Sequence, residues 1–162
     1  MTLTDNYKTY VIEEKEDQTM SIEKNNDVQL YTVLESINEL TNDSMCVLNH
    51  LFVNEGNEPQ FESKFLKRTK YLQDVPGFKA LRFLRPQTKH RHYIILTLWK
   101  DRQSFYDWQS SDAYGKTHKK RGTKQGVDNK TVNRDLSYNV RIELANLETS
   151  IDIDNMLSLI HI

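Results

Sequence analysis

The sequence predicts an α+β fold, and the order of its predicted elements is the reason. Four segments have the apolar or alternating character of β-strands: residues 45–53, 78–86, 92–99 and 136–144. Helical signals separate the first strand from the second and the third from the fourth. The order β-α-β-β-α-β is that of a ferredoxin-like fold. At 162 residues the chain is long enough to bury a core.

Local signals justify these elements in turn. The first strand, M-C-V-L-N-H-L-F-V, is almost continuously apolar, which predicts burial on both faces. Pro59 suits the first turn of a helix that carries Phe61 and Phe65 on one stripe. Pro86 closes the second strand, and Q-T-K-H-R joins it to the third in a hairpin. Asp101 is the expected N-cap of the second helix.

The first 43 residues predict a small N-terminal extension. Two short strands are expected at residues 6–14 and 18–24, with a polar turn between them. Apolar residues then recur at helical spacing, which predicts an amphipathic helix from about 27 to 40.

The predicted sheet also bears on oligomeric state. When both helices pack on one face of a ferredoxin-like sheet, the other face is left bare. A second copy of the same sheet would cover it. The sequence therefore predicts a homodimer, in the form of a dimeric α+β barrel.

Composition narrows the classes of function. The net charge of -1 argues against a dedicated nucleic-acid-binding protein. Cys46 is the only cysteine, so neither an intrachain disulfide nor a thiolate metal cluster is expected. No run approaches the ~18 consecutive apolar residues of a membrane span. Together with a polar N-terminus, these features predict a cytoplasmic protein that binds neither nucleic acid nor membrane.

One stretch suggests a site: W-Q-S-S-D-A-Y-G-K-T-H-K-K-R-G, residues 108–122, in which Trp108 precedes His118 by ten residues. On one straight helix the two side chains would lie about 80° apart. The S-S-D that follows Gln109 is typical of a new helix start, and a bend there would direct both side chains into one pocket. Plainer interpretations remain open: a core tryptophan, and a surface histidine near the end of a basic helix.

Six motifs together resemble the antibiotic-biosynthesis-monooxygenase (ABM) domain, in particular the heme-degrading monooxygenases of the IsdG and HmoB type. The motifs are C-V-L-N (46–49), P-G-F (76–78), R-F-L-R-P (82–86), Y-I-I-L-T-L-W (93–99), F-Y-D-W-Q-S-S (105–111) and A-Y-G-K-T-H-K-K-R-G (113–122). The longer, HmoB-like members carry a small region before the domain. The resemblance implies an extension at 1–43 and an ABM domain at 44–146, and the tail at 147–162, of unknown role, has no counterpart in the family.

The resemblance also implies roles for three residues. His118 falls on the family's axial ligand of the heme iron, Trp108 on a tryptophan that packs against the porphyrin, and Asn49 on a distal polar group. One axial histidine leaves the other side of the iron open for dioxygen, where Asn49 can donate a hydrogen bond. The implied activity is oxidative opening of heme, with iron released and electrons drawn from an external reductant or reductase.

Other polar features are weaker candidates. The cations of K-T-H-K-K-R (116–121) can pair with heme propionates, although solvated surface charge is their more common role. His90 and His92 have metal-ligand spacing but lack a third ligand, which favours a polar hairpin tip. His50 points to the opposite face of the strand from Asn49 and is therefore not the expected iron ligand.

Two other functions remain open at this stage. A non-catalytic heme-binding or signalling protein of the same fold, similar to the TRAP proteins that share the L-R-P and S-D-A motifs, would bind heme without destroying it. A cofactor-free ABM oxygenase acting on another substrate would not bind heme at all. The fold by itself does not choose among these chemistries.

Overall fold

The computed structural model describes residues 2–5, 8–42, 44–111 and 131–143. The elements in chain order are β1 (Thr2–Asp5), β2 (Lys8–Lys15), β3 (Thr19–Lys24), β4 (Asp27–Ile37), β5 (Met45–Val53), α1 (Glu58–Thr69), β6 (Phe78–Pro86), β7 (Tyr93–Trp99), α2 (Arg102–Gln109) and β8 (Val132–Glu143). From β5 onward the order is β-α-β-β-α-β. The predicted α+β, ferredoxin-like fold class is confirmed.

The strands of the described residues form one sheet, in the order β1-β2-β3-β4-β6-β7-β5-β8. All neighbouring pairs are antiparallel. Strands β1 to β4 follow one another as a meander and join the rest of the sheet where β4 pairs with β6. Strand β5 lies between β7 and β8. Its side chains are largely buried on both faces, because one face packs against the helices and the other against β3.

The helix predicted at 27–40 was wrong, because this segment is strand β4. Asn25 and Asn26 have φ values of 51° and 71°, so they form a tight turn that starts a hairpin between β3 and β4. A bulge between Val33 and Glu35 then interrupts the alternation of side chains. Leu34 and the residue three positions later, Ile37, pack in the same cluster, which mimics helical spacing.

The expected bare face of the sheet, from which a homodimer was predicted, was also wrong. The chain covers this second face with its own N-terminal strands. The sheet curls until Met20 and Ile22 of β3 pack in one cluster with Leu48 and Leu96 of the central strands. Strand β1 approaches β8, and the Lys24 ammonium lies 5.7 Å from the centre of the Tyr138 ring. The N-terminal strands therefore occupy the position that a second copy was expected to fill.

The two helices cover the opposite face of the sheet at separate places. Helix α1 brings Phe61 against Phe83 and Tyr93, with ring centroids 5.8 and 5.0 Å away. Helix α2 brings Phe105 to 5.6 Å from Trp99. These contacts form two apolar clusters on one face, and strand β5 contributes residues to both.

Helix ends follow the predicted signals. Asp101 caps α2 by accepting a 2.8 Å hydrogen bond from the Ser104 amide, and Pro59 lies in the first turn of α1. Before α2, Gly77 has a φ of 81° and accepts a hydrogen bond from the Lys100 amide. Within the described residues, neither helix has the length and apolar character needed to cross a membrane.

Candidate functional site

A cavity of about 390 Å³ lies between helix α1 and strands β5 and β8. Its apolar lining comes from Leu51 of β5, Phe61 and Phe65 of α1, and Val132 of β8. Cavities of roughly 300–1,000 Å³ with mainly apolar walls and a few polar groups are typical of small-molecule sites. This cavity is the candidate site.

The charged side chains that line the cavity are all cations. Lys64 and Arg68 come from α1, and Arg134 comes from β8. Within the described part of the chain, none of the three forms an ion pair. Burial lowers the pKa of Arg68, because its charge is partly removed from water. Three cations with no carboxylate beside them favour a ligand that carries negative charge.

Asn49 lies on the floor of this cavity. It is in the middle of β5, opposite Ile95 of β7 and Asn139 of β8. Its side chain is half-buried, and no hydrogen bond holds its amide among the residues that the structure describes. The amide is therefore available to a ligand in the cavity.

Asn139 is a second amide beside the cavity, and its side chain is exposed. It is the direct partner of Asn49 across the β5–β8 pair and also lines the cavity. Residues directly opposite on antiparallel strands have Cβ atoms about 5 Å apart and share a face of the sheet. The Asn139 Oδ1 accepts a 3.0 Å hydrogen bond from Nε of Arg141.

Arg141 links this floor to helix α2. Its guanidinium carbon lies 4.8 Å from the centre of the Phe105 ring and 5.4 Å from that of Tyr106. Its Nη1 donates a 3.4 Å hydrogen bond to the Tyr106 hydroxyl. Arg141 is therefore held from two sides, by an amide of the cavity floor and by aromatic rings of α2.

Trp108 lies in the aromatic cluster under α2 and is not one of the residues that line the cavity. Its ring stacks on Trp99, with 5.4 Å between centroids and 30° between planes, and lies 6.1 Å from Phe105. It is half-buried, at the end of α2 from which the chain leaves toward residue 112.

His118 lies outside the described residues, as do the cations of 116–121 and the tail at 147–162. Of the three residues predicted for the site, the structure therefore describes Asn49 and Trp108. Their roles, and that of His118, stay predictions.

Other histidines have local partners. His50 lies on the face opposite Asn49, stacks on Tyr138 at 4.2 Å and donates from Nδ1 to the Leu48 carbonyl oxygen. His92 donates from Nε2 to the Leu136 carbonyl oxygen at 2.6 Å. The described residues contain no group of three histidine, cysteine or acidic side chains that could hold a metal ion.

Residues 44–120 match the model of the antibiotic biosynthesis monooxygenase family. The matched range, just under half of the chain, is similar to an ABM domain. Strand β5, helix α1, strands β6 and β7 and helix α2 all lie within the matched range.

Solved structures that resemble this chain include two heme-degrading enzymes. LmHde from Listeria monocytogenes is 14% identical over 86% of each chain, with a TM-score of 0.52. MhuD from Mycobacterium tuberculosis, solved with two hemes in its active site, is 22% identical over 61% of this chain and 93% of its own, with a TM-score of 0.50. A major regulator of staphylococcal pathogenesis is 20% identical over 82% of each chain, with a TM-score of 0.59. At these identities the likeness is one of fold.

Sequence reasoning missed Asn139 and the cations that line the cavity, Lys64, Arg68 and Arg134. Asn139 becomes a candidate only when the register of β5 against β8 is known. In the sequence the cations have the pattern of ordinary surface charge. Their place at the cavity becomes apparent only from the packing of α1 on the sheet. One signal was available for α1, since Lys64 and Arg68 are four residues apart and therefore share a helix face.

Proposed function

We propose that this ABM protein is a heme-degrading monooxygenase that opens the porphyrin with dioxygen and external electrons and releases iron. The observation that carries the proposal is the cavity beside Asn49. It combines aromatic and aliphatic walls with three cations that have no carboxylate partner among the described residues. A flat apolar ring with carboxylate arms has the chemistry that such a cavity selects.

We assign a separate role in heme binding to each of several residues. Phe61 and Phe65 provide apolar contact for a flat ligand, and Asn49 presents an amide donor from the floor. Trp108, which lies under α2 outside the cavity lining, would add bulk on that side of a bound heme, and His118 would hold the heme iron. Bound heme supplies the iron at which dioxygen is reduced. Electrons come from an external donor, because no nicotinamide or flavin motif is apparent in the sequence.

The cations give the proposal a second line of support. In heme the charged groups are two carboxylate arms, and an Arg or Lys that meets a carboxylate in a partly buried setting forms a strong, charge-assisted hydrogen bond. Arg68 is half-buried with its pKa lowered by burial, so a carboxylate partner would relieve a real desolvation cost. The same pairing was expected for the cations of 116–121, which lie outside the described residues.

The first experiment is a visible absorption titration with hemin, followed by ascorbate in air, on the wild type and His118→Ala. His90→Ala is the matched control, because this histidine is exposed in the turn of the β6–β7 hairpin. We expect a Soret band in the wild type and the control that decays with ascorbate, releases iron to a chelator and is insensitive to catalase. In His118→Ala the band should be weak or absent.

Two other results of the hemin titration would support the alternative functions. A Soret band that persists in reductant would indicate a non-catalytic heme-binding or signalling protein. A wild type that gives no band would indicate an ABM oxygenase that needs no cofactor and acts on another substrate.

The cations are tested with metal-free protoporphyrin IX and its dimethyl ester, which lacks free carboxylates. Arg68→Gln should weaken binding of the acid roughly fivefold to tenfold, because one charge-assisted hydrogen bond is lost. Binding of the ester should be the same in both proteins. Equal affinity of the wild type for the acid and the ester would show that the cavity cations do not bind the carboxylates of the ligand.

The oligomeric state and the cellular location of the protein are also part of the proposal. A homodimer stays a prediction, and any contact between copies must use a surface other than the filled interior of the sheet. Sedimentation velocity at micromolar concentration measures the oligomeric state.

A reducing, cytoplasmic location also stays a prediction. It is supported by Cys46, which is buried and unpaired in the sheet.

A further inference from the structure

The orientation of the Asn139 amide can be deduced from its partner. A guanidinium donates hydrogen bonds and accepts none, so the Asn139 atom that lies 3.0 Å from Nε of Arg141 must be the carbonyl oxygen. The NH₂ group then points away from Arg141. Arg141 lies on the α2 side of Asn139, whereas the cavity extends along β8 toward Ser137 and α1. The NH₂ group therefore faces the cavity.

Arg141, although exposed, has further contacts that favour this position. Its guanidinium lies over the ring of Phe105 and donates to the Tyr106 hydroxyl, both on α2. A rotation of the Asn139 amide by 180° would bring NH₂ against a cation and cost the hydrogen bond. The orientation of the floor amide is thus set by a residue anchored in the neighbouring helix.

We propose that Asn139 is a second hydrogen-bond donor of the site, acting beside Asn49 on an acceptor atom of the ligand, and that Arg141 is its positioning residue. The proposal rests on the proposed function. The two amides are direct partners across β5 and β8, so their Cβ atoms lie about 5 Å apart and one small acceptor can reach both. If heme is the ligand, this acceptor would be a small molecule bound at its iron.

The test uses cyanide, whose nitrogen accepts hydrogen bonds when its carbon binds heme iron. Asn139→Ala should bind hemin within about twofold of the wild type but bind cyanide to that heme roughly fivefold to tenfold more weakly, since one donor is lost. Asn133→Ala is the control from the same strand, because Asn133 does not line the cavity.

Asn139→Asp separates donation from packing. The carboxylate keeps the shape of the side chain and its contact with Arg141 but has no NH₂ group. If Asn139 donates to the ligand, Asn139→Asp weakens cyanide binding more than Asn139→Ala does, because it loses the donor and adds a negative charge beside the anion. If Asn139 only anchors Arg141, Asn139→Asp behaves like the wild type, and that result overturns the proposal.

The positioning role of Arg141 is measured without any ligand. In Arg141→Met the side-chain amide cross-peaks of Asn139 in a ¹⁵N–¹H spectrum should shift, while those of Asn133 stay in place. Unchanged Asn139 cross-peaks would overturn the positioning role. If the wild type binds no hemin, the proposed function is overturned and the donor role with it, whereas the ligand-free spectra still decide the role of Arg141.

Discussion

Trp108 stacks on Trp99, with 5.4 Å between the ring centroids and 30° between the ring planes. Trp99 is fully buried at the end of β7, and its Nε1 donates a 3.0 Å hydrogen bond to the Thr97 hydroxyl. The proposed heme contact is therefore anchored in the core of the sheet. Trp108 has a structural role in addition to any contact with a ligand, and experiments on it must separate the two.

Substitution of Trp108 is expected to reveal both roles. Trp108→Ala should lower the free energy of unfolding by about 2 kcal/mol, since a half-buried ring leaves a partial cavity. Trp108→Phe keeps an aromatic contact with Trp99 and should cost less than about 1 kcal/mol. Urea unfolding followed by circular dichroism measures both values. A Trp108→Ala protein as stable as the wild type would contradict the stacking.

Gly77 should tolerate no side chain. A Cβ atom at Gly77 would lie 2.2 Å from Oγ and 2.3 Å from Cβ of Ser104, in the first turn of α2. Gly77→Ala should therefore cost about 2–4 kcal/mol of unfolding free energy, from the positive φ and from the clash.

Gly56 provides the matched control for this prediction. It also has a positive φ, but a Cβ atom there would meet nothing within 4 Å. Gly56→Ala should cost about 1 kcal/mol, which isolates the backbone strain. If the two glycine variants were equally stable, α2 would not approach Gly77 as closely as described.

Arg82 should be the most costly charge to remove from the described residues. Its side chain is buried inside the curled sheet, where it donates to Oε1 of Glu14 at 2.8 Å and to the Asn38 carbonyl oxygen at 2.7 Å. Arg82→Leu should cost about 3 kcal/mol, because Glu14 loses its partner and the buried carbonyl oxygens of Ile37 and Leu81 lose their donor. Thermal or urea unfolding of the purified variant measures the loss.

The glutamates allow a graded comparison. Glu14→Gln should cost about 1 kcal/mol, because the Glu14 side chain is 51% exposed although its partner is buried. Glu13→Gln should cost less than about 0.5 kcal/mol, since the Glu13–Lys15 pair is exposed on both sides. If all three variants lost the same stability, burial of Arg82 would not be the reason for its cost.

His50 should make the fold sensitive to acid. Burial, and to a lesser degree the nearby charges of His92 and Lys24, lower the pKa of His50 to about 4, while the contact with the Leu48 carbonyl oxygen opposes this. The folded protein keeps His50 neutral, whereas the unfolded chain binds a proton below about pH 6.5. Its contribution to stability is therefore complete above that pH and is lost as the pH falls to about 4.

The expected size of this effect is at most about 3 kcal/mol, because a shift of one pKa unit corresponds to about 1.4 kcal/mol. His50→Phe keeps the stacking on Tyr138 and cannot titrate, so its unfolding free energy should fall less between pH 7 and pH 4. Urea unfolding at a series of pH values compares it with His90→Ala, which should retain the dependence of the wild type. Parallel curves for His50→Phe and the wild type would show that His50 is not buried neutral.

The β-α-β-β-α-β order was predictable from sequence because its signals are local. The apolar run at 45–53 required a strand buried on both faces, and Pro59, Pro86 and Asp101 marked ends of elements by their backbone chemistry alone. The motifs from 46 to 122 were sufficient to indicate the ABM family, which the family match at 44–120 confirms. Asn49 became a candidate through the same resemblance, from the C-V-L-N motif.

The N-terminal region could not be predicted from periodicity alone. A bulge in β4 gave Leu34 and Ile37 the spacing of a helix, and only pairing with β6 reveals that the segment is a strand. The same pairing lets β1 to β4 curl over the sheet, which removes the bare face that had predicted a second copy. Strand pairing depends on residues far apart in sequence, so local patterns do not encode it.

The sequence by itself determined the element order from β5 onward, the ABM family and the candidacy of Asn49, because these depend on short-range patterns and motifs. Only the tertiary structure decided that the N-terminal strands fill the sheet's second face and that cations of α1 and β8 line the cavity. It also set Asn139 beside Asn49 and Arg141 beside Asn139. The physical reason is that register and helix packing bring together side chains separated by tens of residues, and those contacts define the site.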